Sequence, residues 1–168
     1  MKRFQTLGLV VILSFCLASF ASAKELKIGY VDLSRLFDNY QKTKEYDAIL
    51  QKEGDAFQKE RDGIIAKIRD AQGKLALLKE DEKQKLSADI DKQKSELIEF
   101  DKQKRGDLAK KRDEKVREIL LEIEKIVSTM AKKEGYDYIL NDRVLIYGDQ
   151  SQNITDQVLK NLNDSYKK

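Results

Sequence analysis

The hundred residues from Arg35 to Glu134 contain no proline and are dominated by Lys, Glu, Gln, Asp, Leu, Ile and Ala. These residue types favour helices, whereas proline is the residue that most strongly breaks one. The stretch also ends on helix-terminating residues, because Lys132 and Lys133 suit the negative end of a helix dipole and Gly135 can adopt a left-handed cap. The sequence therefore predicts a chain that is mostly helix, with strands confined to its two ends.

Apolar residues recur at the same position of a seven-residue repeat in both halves of this stretch. This spacing indicates two helices that fold back and pack against each other. In the first half of the stretch the repeating apolar residues are Leu36, Leu50, Phe57, Ile64, Ala71 and Leu78. In the second half they are Leu86, Ile90, Leu97, Val116, Ile119, Ile123, Ile126 and Met130. The polar run 79–83, with Asp81 as a candidate N-cap, predicts the tip of this hairpin. Each helix would then have about 45 to 50 residues, and residue i would face roughly residue 162 − i.

The middle of the predicted hairpin has few apolar residues. Asp47, Gly54 and Arg61 interrupt the seam in the first helix, and Leu108 and Ala109 are the only apolar residues in 101–115. A glycine inside a helix costs about 1 kcal/mol relative to alanine. Gly54 and Gly106 should lie at nearly the same height, so they are a candidate hinge. A coiled coil that is merely weak in its middle explains the pattern equally well.

The two ends of the chain contain short β-branched and aromatic runs. The run 27–31 predicts a strand, after which Asp32 or Ser34 can cap a helix. The runs 136–140 and 144–147 flank Asn141-Asp142-Arg143, a pattern that predicts a β-hairpin. A final short helix should follow, with Thr155 as its N-cap and Ile154 and Leu159 as a hydrophobic staple.

The segments 24–34 and 135–168 together form a body that is too small to be stable alone. A core of this size, without disulfides or metals, usually requires oligomerisation. The apolar runs near the carboxyl end do not alternate with polar residues, which is typical of strands covered on both faces. The sequence therefore predicts a homo-oligomer. Its predicted subunit contacts are Ile28, Tyr30, Val31, Tyr138, Ile139, Leu140, Val144, Leu145, Ile146, Tyr147, Ile154, Val158 and Leu159.

Residues 1–23 have the organisation of a cleavable secretory signal peptide. Two basic residues precede the apolar run 7–17, and the small residues at 21–23 form a cleavage site. An uncleaved membrane anchor would need about 20 apolar residues, and lipidation of Cys16 would need small residues before it. Cleavage after residue 23 removes Cys16, the only cysteine, together with two positive charges, so the formal net charge falls from +3 to +1.

The composition argues against an enzyme. The chain has no histidine, and the mature chain would have no cysteine, so imidazole bases, thiol nucleophiles and metal sites built on either residue are excluded. Its many Asp and Glu residues are explained by ion pairs along helices. We expect no cofactor, metal or small-molecule substrate. A nearly neutral exported chain also lacks the positive field that nucleic-acid binding requires.

A local excess of basic residues occurs in 101–117. Its central members are Lys102, Lys104, Arg105, Lys110, Lys111 and Arg112. This region could form a face that binds clients or anionic lipid. A solvated helix face with no binding role is the alternative interpretation.

Four short segments near the two ends carry a family resemblance. They are KIGYVD at 27–32, YIL at 138–140, VLIY at 144–147 and NITDQVL at 153–159. In this order, around a long helical insertion at 35–134, they resemble the Skp/OmpH family of periplasmic chaperones. The resemblance covers essentially the whole mature chain, although the helical insertion would match any charged coiled coil.

The resemblance implies an α+β, predominantly helical fold in which a small β-rich trimerisation body carries long helical-hairpin tentacles. It also implies a homotrimeric, ATP-independent holdase in the periplasm that binds unfolded outer-membrane β-barrel proteins and delivers them for assembly. Anionic lipid or lipopolysaccharide is a further implied partner, although well-known family members are strongly basic and this mature chain is not. A periplasmic coiled-coil spacer or adaptor of the cell envelope is the alternative function, because a fold does not settle a function.

Overall fold

A computed structural model describes residues 25–167, so the predicted signal peptide and Cys16 lie outside the described residues. The described chain is predominantly helical with one small sheet, which confirms the predicted α+β class. Its elements are β1 (Ile28–Val31), α1 (Leu33–Asn39), α2 (Gln41–Leu75), α3 (Glu80–Glu134), β2 (Tyr138–Asn141), two 3-10 turns (Asp142–Val144 and Gln150–Gln152) and α4 (Thr155–Tyr166).

The small sheet joins the two ends of the described chain. Strands β1 and β2 pair in parallel, with Ile28 opposite Tyr138 and Val31 opposite Asn141. Such parallel pairing requires a long connection, which the helical hairpin supplies. On its other side β1 is bridged by the segment that leads into α4, where the Ile154 backbone N–H donates to the Tyr30 carbonyl at 3.0 Å. The sheet therefore fixes both roots of the hairpin to the body.

The predicted β-hairpin at 136–147 is wrong. β2 pairs with β1, and the residues after it form a 3-10 turn in which the Asn141 side chain accepts from the Arg143 N–H. Tight hairpin turns favour positive φ angles, and Gly135 is the only residue with positive φ in the described part of the chain. The segment 144–147 instead runs on as an exposed loop, and Gly148 lets it pass so close to Tyr30 that an added Cβ would lie 2.8 Å from the ring.

The hydrophobic core lies where α1, α4 and the carboxyl-terminal part of α3 meet. Its most deeply buried side chains are Leu36, Ile119, Ile123, Val158 and Leu162. Asp32 caps α1 as expected, because its Oδ1 accepts from the Arg35 N–H at 2.8 Å.

Thr155 does not cap α4 as predicted, since Ile154 occupies the N-cap position and Thr155 is the first helical residue. Because Ile154 is the N-cap itself and not the residue before it, the predicted staple with Leu159 does not have the expected positions, although Ile154 is in the core and Leu159 packs against that core. The Thr155 hydroxyl has a different role: it accepts from the Asp32 N–H at 2.9 Å and donates to the Asn153 carboxamide at 2.6 Å. This fully buried hydroxyl therefore connects α4 to the start of α1.

Helices α2 and α3 form one long antiparallel hairpin, hereafter the arm. The turn occupies 76–79, earlier than the predicted 79–83, and the helices have 35 and 55 residues. Lys79, and not Asp81 as predicted, occupies the N-cap of α3. Asp81 lies in the first turn with Glu80 and Glu82, where acidic side chains favour a helix start. Tyr40, in an extended conformation, divides α1 from α2 and shortens the ascending helix. Gly135 ends α3 with φ 74°, as predicted.

At roughly 1.5 Å per residue, α3 extends about 80 Å. Contacts such as Arg61 with Asp101 and Tyr40 with Glu122 obey the expected facing relation. In residues 25–167 no helix combines the length and apolar character needed to cross a membrane.

Candidate functional site

The middle of the arm has no buried side chain. In α2 no residue between Thr43 and Ile68 is buried, and in α3 none is buried between Ile90 and Ile119. The segments 47–61 and 101–115, hereafter the mid-arm, fall within these gaps. The mid-arm therefore lacks the continuous apolar seam that stiffens a coiled coil.

Polar and aromatic contacts hold the mid-arm helices together instead. The rings of Phe57 and Phe100 pack with centroids 5.6 Å apart. The Arg61 guanidinium donates to the Asp101 carboxylate at 3.0 Å, and the Lys111 ammonium lies 2.8 Å from the Glu53 carboxylate. Ion pairs near the surface contribute only about 0 to 1 kcal/mol each. The part-buried Arg61–Asp101 pair and the more exposed Lys111–Glu53 pair therefore fix the register more than they add stability.

The two candidate hinge glycines lie in this weak region, inside uninterrupted helices. A Cβ added at Gly54 or at Gly106 would meet no atom within 4 Å. Neither glycine is therefore required by close packing or by backbone conformation. A hinge at this height stays a prediction.

A groove of about 470 Å³ opens between the mid-arm helices. Its apolar lining comes from Ala56, Phe57 and Leu108, and charged side chains, including Glu60 and Lys104, surround it. We refer to it as the mid-arm groove. The sequence did not predict this groove, because Ala56 is not part of the predicted heptad seam and Leu108 stands among charged residues. The signal in the sequence that could have revealed the groove is the placement of Ala56 and Leu108 on facing helices, each two residues from a glycine.

The six predicted basic residues are exposed on α3, but most of them contact the arm itself. Lys102 and Lys110 lie 3.7 and 3.9 Å from the acids Glu99 and Glu114, and Lys111 pairs with Glu53. Lys104 and Arg105 stand 5.8 and 5.9 Å from the ring centroids of Phe100 and Phe57, and Arg112 is exposed nearby. Much of this local charge is therefore balanced within the arm, and a binding role stays a prediction.

An ionic cluster holds the root of the arm. The partly buried ammonium of Lys42, on α2, donates to Glu118 at 2.7 Å and also to Glu122, both on α3. Glu118 is further paired with Lys115 at 2.6 Å, and the Tyr40 hydroxyl donates to Glu122 at 3.0 Å. We call these five residues the root cluster.

The hydrogen bonds and ion pairs of the root cluster shift the pKa values of three of its residues. Hydrogen bonds from Lys115 and Lys42 lower the pKa of Glu118 to about 2. Burial opposes the charge of Lys42, but its hydrogen bonds to Glu118 and Glu122 outweigh that effect and raise the pKa of Lys42. Burial and the hydrogen bond to Glu122 raise the pKa of Tyr40 to about 12. Glu118 and Lys42 therefore stay charged, and Tyr40 stays neutral, throughout the neutral pH range.

Helix α4 also fastens the root of the arm to the body. The Asn163 side chain accepts from the Gln41 N–H at 2.8 Å, which satisfies a free donor at the start of α2. The Tyr166 hydroxyl donates to Glu45 at 2.7 Å, and its ring meets the Tyr40 ring edge-on at 5.8 Å. The arm is thus anchored by packing, by helix capping and by ion pairs at one level.

The predicted subunit contacts divide into three groups. Val31, Ile154 and Val158 lie inside the core of the single chain. The half-buried residues are Tyr30, Ile139, Leu140, Leu145 and Leu159. The exposed residues are Ile28, Tyr138, Val144, Ile146 and Tyr147, of which the last three are more than 70% exposed. The exposed group is the one that remains free to contact another subunit.

Within residues 25–167, no group of three or more His, Cys, Asp or Glu residues is arranged to hold a metal ion.

The chain belongs to the family of OmpH-like outer membrane proteins, because residues 27–162 match the sequence profile of that family. This match confirms the resemblance on which the sequence analysis relied.

Two curated relatives have the same name, chaperone protein Skp. The protein from Vibrio cholerae serotype O1 is 28% identical over 167 residues, which is 95% of this chain and 96% of the relative. The one from Yersinia enterocolitica is 28% identical over 152 residues, covering 88% and 93% of the two chains. Because these relatives are named as chaperones, the expectation that the protein is not an enzyme is confirmed.

The fold also has a solved counterpart. A crystal structure from Caulobacter crescentus CB15, described as a candidate OmpH-like outer membrane chaperone, superposes with a TM-score of 0.78. The superposition covers 84% of this chain and 86% of the other, at 12% sequence identity. At that identity the likeness establishes the fold alone.

Proposed function

We propose that the protein is an ATP-independent holdase chaperone of the periplasm, which binds unfolded outer-membrane β-barrel proteins and delivers them for assembly. The observation that carries this proposal is the arm, whose middle offers half-buried apolar surface rimmed by ions without a closed core. Unfolded barrel strands expose alternating apolar side chains that aggregate in water. Membership in the OmpH-like family and two relatives named as chaperones support the same function.

The working form that we propose is a homotrimer joined through the body. Val144, Ile146 and Tyr147 form an apolar loop with little cover from their own chain, and Tyr138 is exposed on β2. Within the described residues β2 has β1 as its only strand partner, so its outer edge is open to pairing. A neighbouring subunit that covers this edge and the loop would bury both. Three arms would then project from one body and surround a client.

The proposed location and the secondary partner depend on sequence features. The predicted signal peptide at 1–23 would send the chain to the periplasm, where no ATP is available to drive release. The exposed basic residues of α3 could contact anionic lipid or lipopolysaccharide as the client is delivered. Binding of a client by many weak contacts within a cage requires neither a discrete pocket nor an energy source.

An aggregation assay tests the proposed function. A urea-unfolded outer-membrane barrel protein would be diluted into buffer with and without the chain 24–168, and light scattering would be recorded. We expect scattering to be suppressed near one trimer per client, because the holdase favours the unfolded client by mass action. Unchanged scattering would instead support the spacer or adaptor function.

A further inference from the structure

The mid-arm groove combines an apolar lining with carboxylates, Glu60 among them, that have no salt bridge within the described residues. We propose that it is a subsite for one aromatic side chain of an extended polypeptide, with a Lys or Arg next to that aromatic residue. This inference rests on the proposed holdase function and deepens it, since it identifies the part of a client that the arm grips. The partner is thus an unfolded polypeptide segment of defined chemistry.

The apolar part of the groove suits an aromatic ring. Its volume of about 470 Å³ falls within the range of ordinary ligand pockets. The Phe57 ring lies on its wall and already packs at 44° against Phe100, so an entering ring can extend an existing aromatic contact. Ala56 and Leu108 complete an apolar surface without filling the space between the helices.

The charges around the groove select a cation next to that ring. The lining contains four acidic and three basic side chains. Two of the basic residues are engaged in ion pairs within the arm, Lys111 with Glu53 and Lys110 with Glu114. The third, Lys104, stands near the Phe100 ring. Glu60 and Asp107 have no salt bridge within the described residues, although Asp107 is close enough to Lys111 to help raise the pKa of that ammonium. With four acidic against three basic side chains in the lining, and Glu60 without a salt bridge, a cationic side chain complements the groove better than an anionic lipid headgroup does.

The chemistry of the proposed clients supplies this pattern. Outer-membrane barrels carry girdles of aromatic residues at both edges of their apolar band. A chain that is unfolded presents these rings one at a time along an extended backbone. The groove is open to solvent along the arm, so it can accept a side chain from such a segment without threading. Three such subsites on three arms would add their effects through high local concentration.

Peptide binding to the full mature chain tests the proposal. The chain contains no tryptophan, so the fluorescence of a Trp-containing peptide reports the peptide alone. The probes are two unstructured Gly/Ser peptides, one with a central Trp-Lys pair and one with Trp-Glu. We expect saturable binding with a blue-shifted emission for Trp-Lys, and binding at least about fivefold weaker for Trp-Glu.

Two variants and one matched control locate the binding. Ala56→Leu fills the apolar lining and should weaken the Trp-Lys peptide about fivefold or more. Ala48→Leu adds the same atoms to an exposed position of α2 outside the groove and should change nothing. Glu60→Gln should remove the preference for Trp-Lys over Trp-Glu. Circular dichroism of each variant confirms that the helices remain folded.

Three results would overturn the proposal. Equal binding by the Ala56→Leu and Ala48→Leu variants would place the peptide elsewhere. An unchanged preference in Glu60→Gln would remove the role of the carboxylate. Loss of self-association in Ala56→Leu, measured by sedimentation, would make the groove a contact between copies of the chain.

The aggregation assay separates this proposal from the proposed function. If wild-type protein suppresses aggregation but does not bind the Trp-Lys peptide, the subsite is refuted and the holdase function stands. If the peptide binds as expected but aggregation is not suppressed, the holdase function is refuted and the groove remains a peptide site.

Discussion

Replacing Lys42 by methionine would remove the one cation that the root cluster shares between Glu118 and Glu122. Methionine keeps the length and the apolar stem of lysine, so the packing of α2 against α3 should be retained. The two carboxylates would then face each other across the position that the ammonium occupies. Lys115 would remain beside Glu118, and Tyr40 would remain hydrogen-bonded to Glu122.

The expected loss of stability follows from the pKa of Glu118. Its fall from 4.5 to about 2 would correspond to about 3 kcal/mol if it were fully expressed. The Glu118 side chain is 41% exposed and shares its shift between Lys115 and Lys42. Solvent screening of such a pair reduces the value, so we expect Lys42→Met to cost about 1 kcal/mol at pH 7.

The lowered pKa of Glu118 also sets how the stability difference between wild type and Lys42→Met changes with pH. Because the pKa of Glu118 is lowered in the folded protein, its contribution is fully present above pH 4.5 and is lost as the pH falls toward 2. The difference between wild type and Lys42→Met should therefore shrink as the pH falls through this window. Urea unfolding followed by circular dichroism at several pH values measures it, at one fixed chain concentration because assembly also shifts stability.

Lys44→Met is the matched control, since Lys44 is an exposed neighbour on the same helix without a salt bridge among the described residues. It should leave the unfolding midpoint nearly unchanged. If Lys42→Met and Lys44→Met were equally stable at pH 7, or if the Lys42→Met deficit persisted undiminished at pH 2.5, the root cluster would not stabilise the arm in the way described.

Three further predictions address the body and the arm. Ile146→Glu should convert the proposed trimer to monomer in sedimentation, because it would place a charge in the apolar loop that the neighbouring subunit is proposed to cover. A trimer of unchanged affinity would contradict the proposed assembly. Gly54→Ala combined with Gly106→Ala should slow hydrogen exchange of the mid-arm amides, since alanine favours helix by about 1 kcal/mol per site; amides already as protected as those near the tip would rule out a hinge. Thr155→Val should lower the free energy of unfolding by about 1 to 3 kcal/mol, because it leaves the Asp32 N–H without its partner. Thr155→Ser should restore most of that loss, and equal stability of Thr155→Val and wild type would refute this role.

The sequence predicted local features best. Helix composition, the glycine cap at Gly135 and the Asp32 cap of α1 each depend on residues close together in the chain, and the structure has all three. The polar run 79–83 predicts a tip a few residues later than the observed turn at 76–79. Glu80 and Glu82 instead favour the first turn of α3, while the exposed Leu77 lies in the turn itself.

Long-range pairing could not be predicted from local patterns. The β-hairpin was expected because 136–140 and 144–147 are neighbours in sequence, yet β2 finds its partner at β1, more than a hundred residues earlier. Apolar runs reveal that a segment will be covered but not what covers it. For the same reason the predicted subunit contacts include Val31, Ile154 and Val158, although their own chain buries these three residues.

The candidate site was predicted only in outline. The sequence indicated a weak middle of the arm, since glycines and charges replace apolar residues there. It did not indicate the groove, because Ala56 lies outside the predicted heptad seam, although the predicted facing relation places it near the height of Leu108. The root cluster was equally hidden, because Lys42 and Glu118 are ordinary charged residues within long charged helices.

The parallel pairing of β1 with β2 also sets the order in which the molecule can be completed. A chain is made from its amino terminus, so Ile28–Val31 emerges long before Tyr138–Asn141 exists. The helices of the arm depend on local contacts and can form while synthesis continues, whereas the sheet must wait for nearly the last residues. A chain interrupted before Tyr138 would therefore have a complete arm but no sheet to fix that arm to the body.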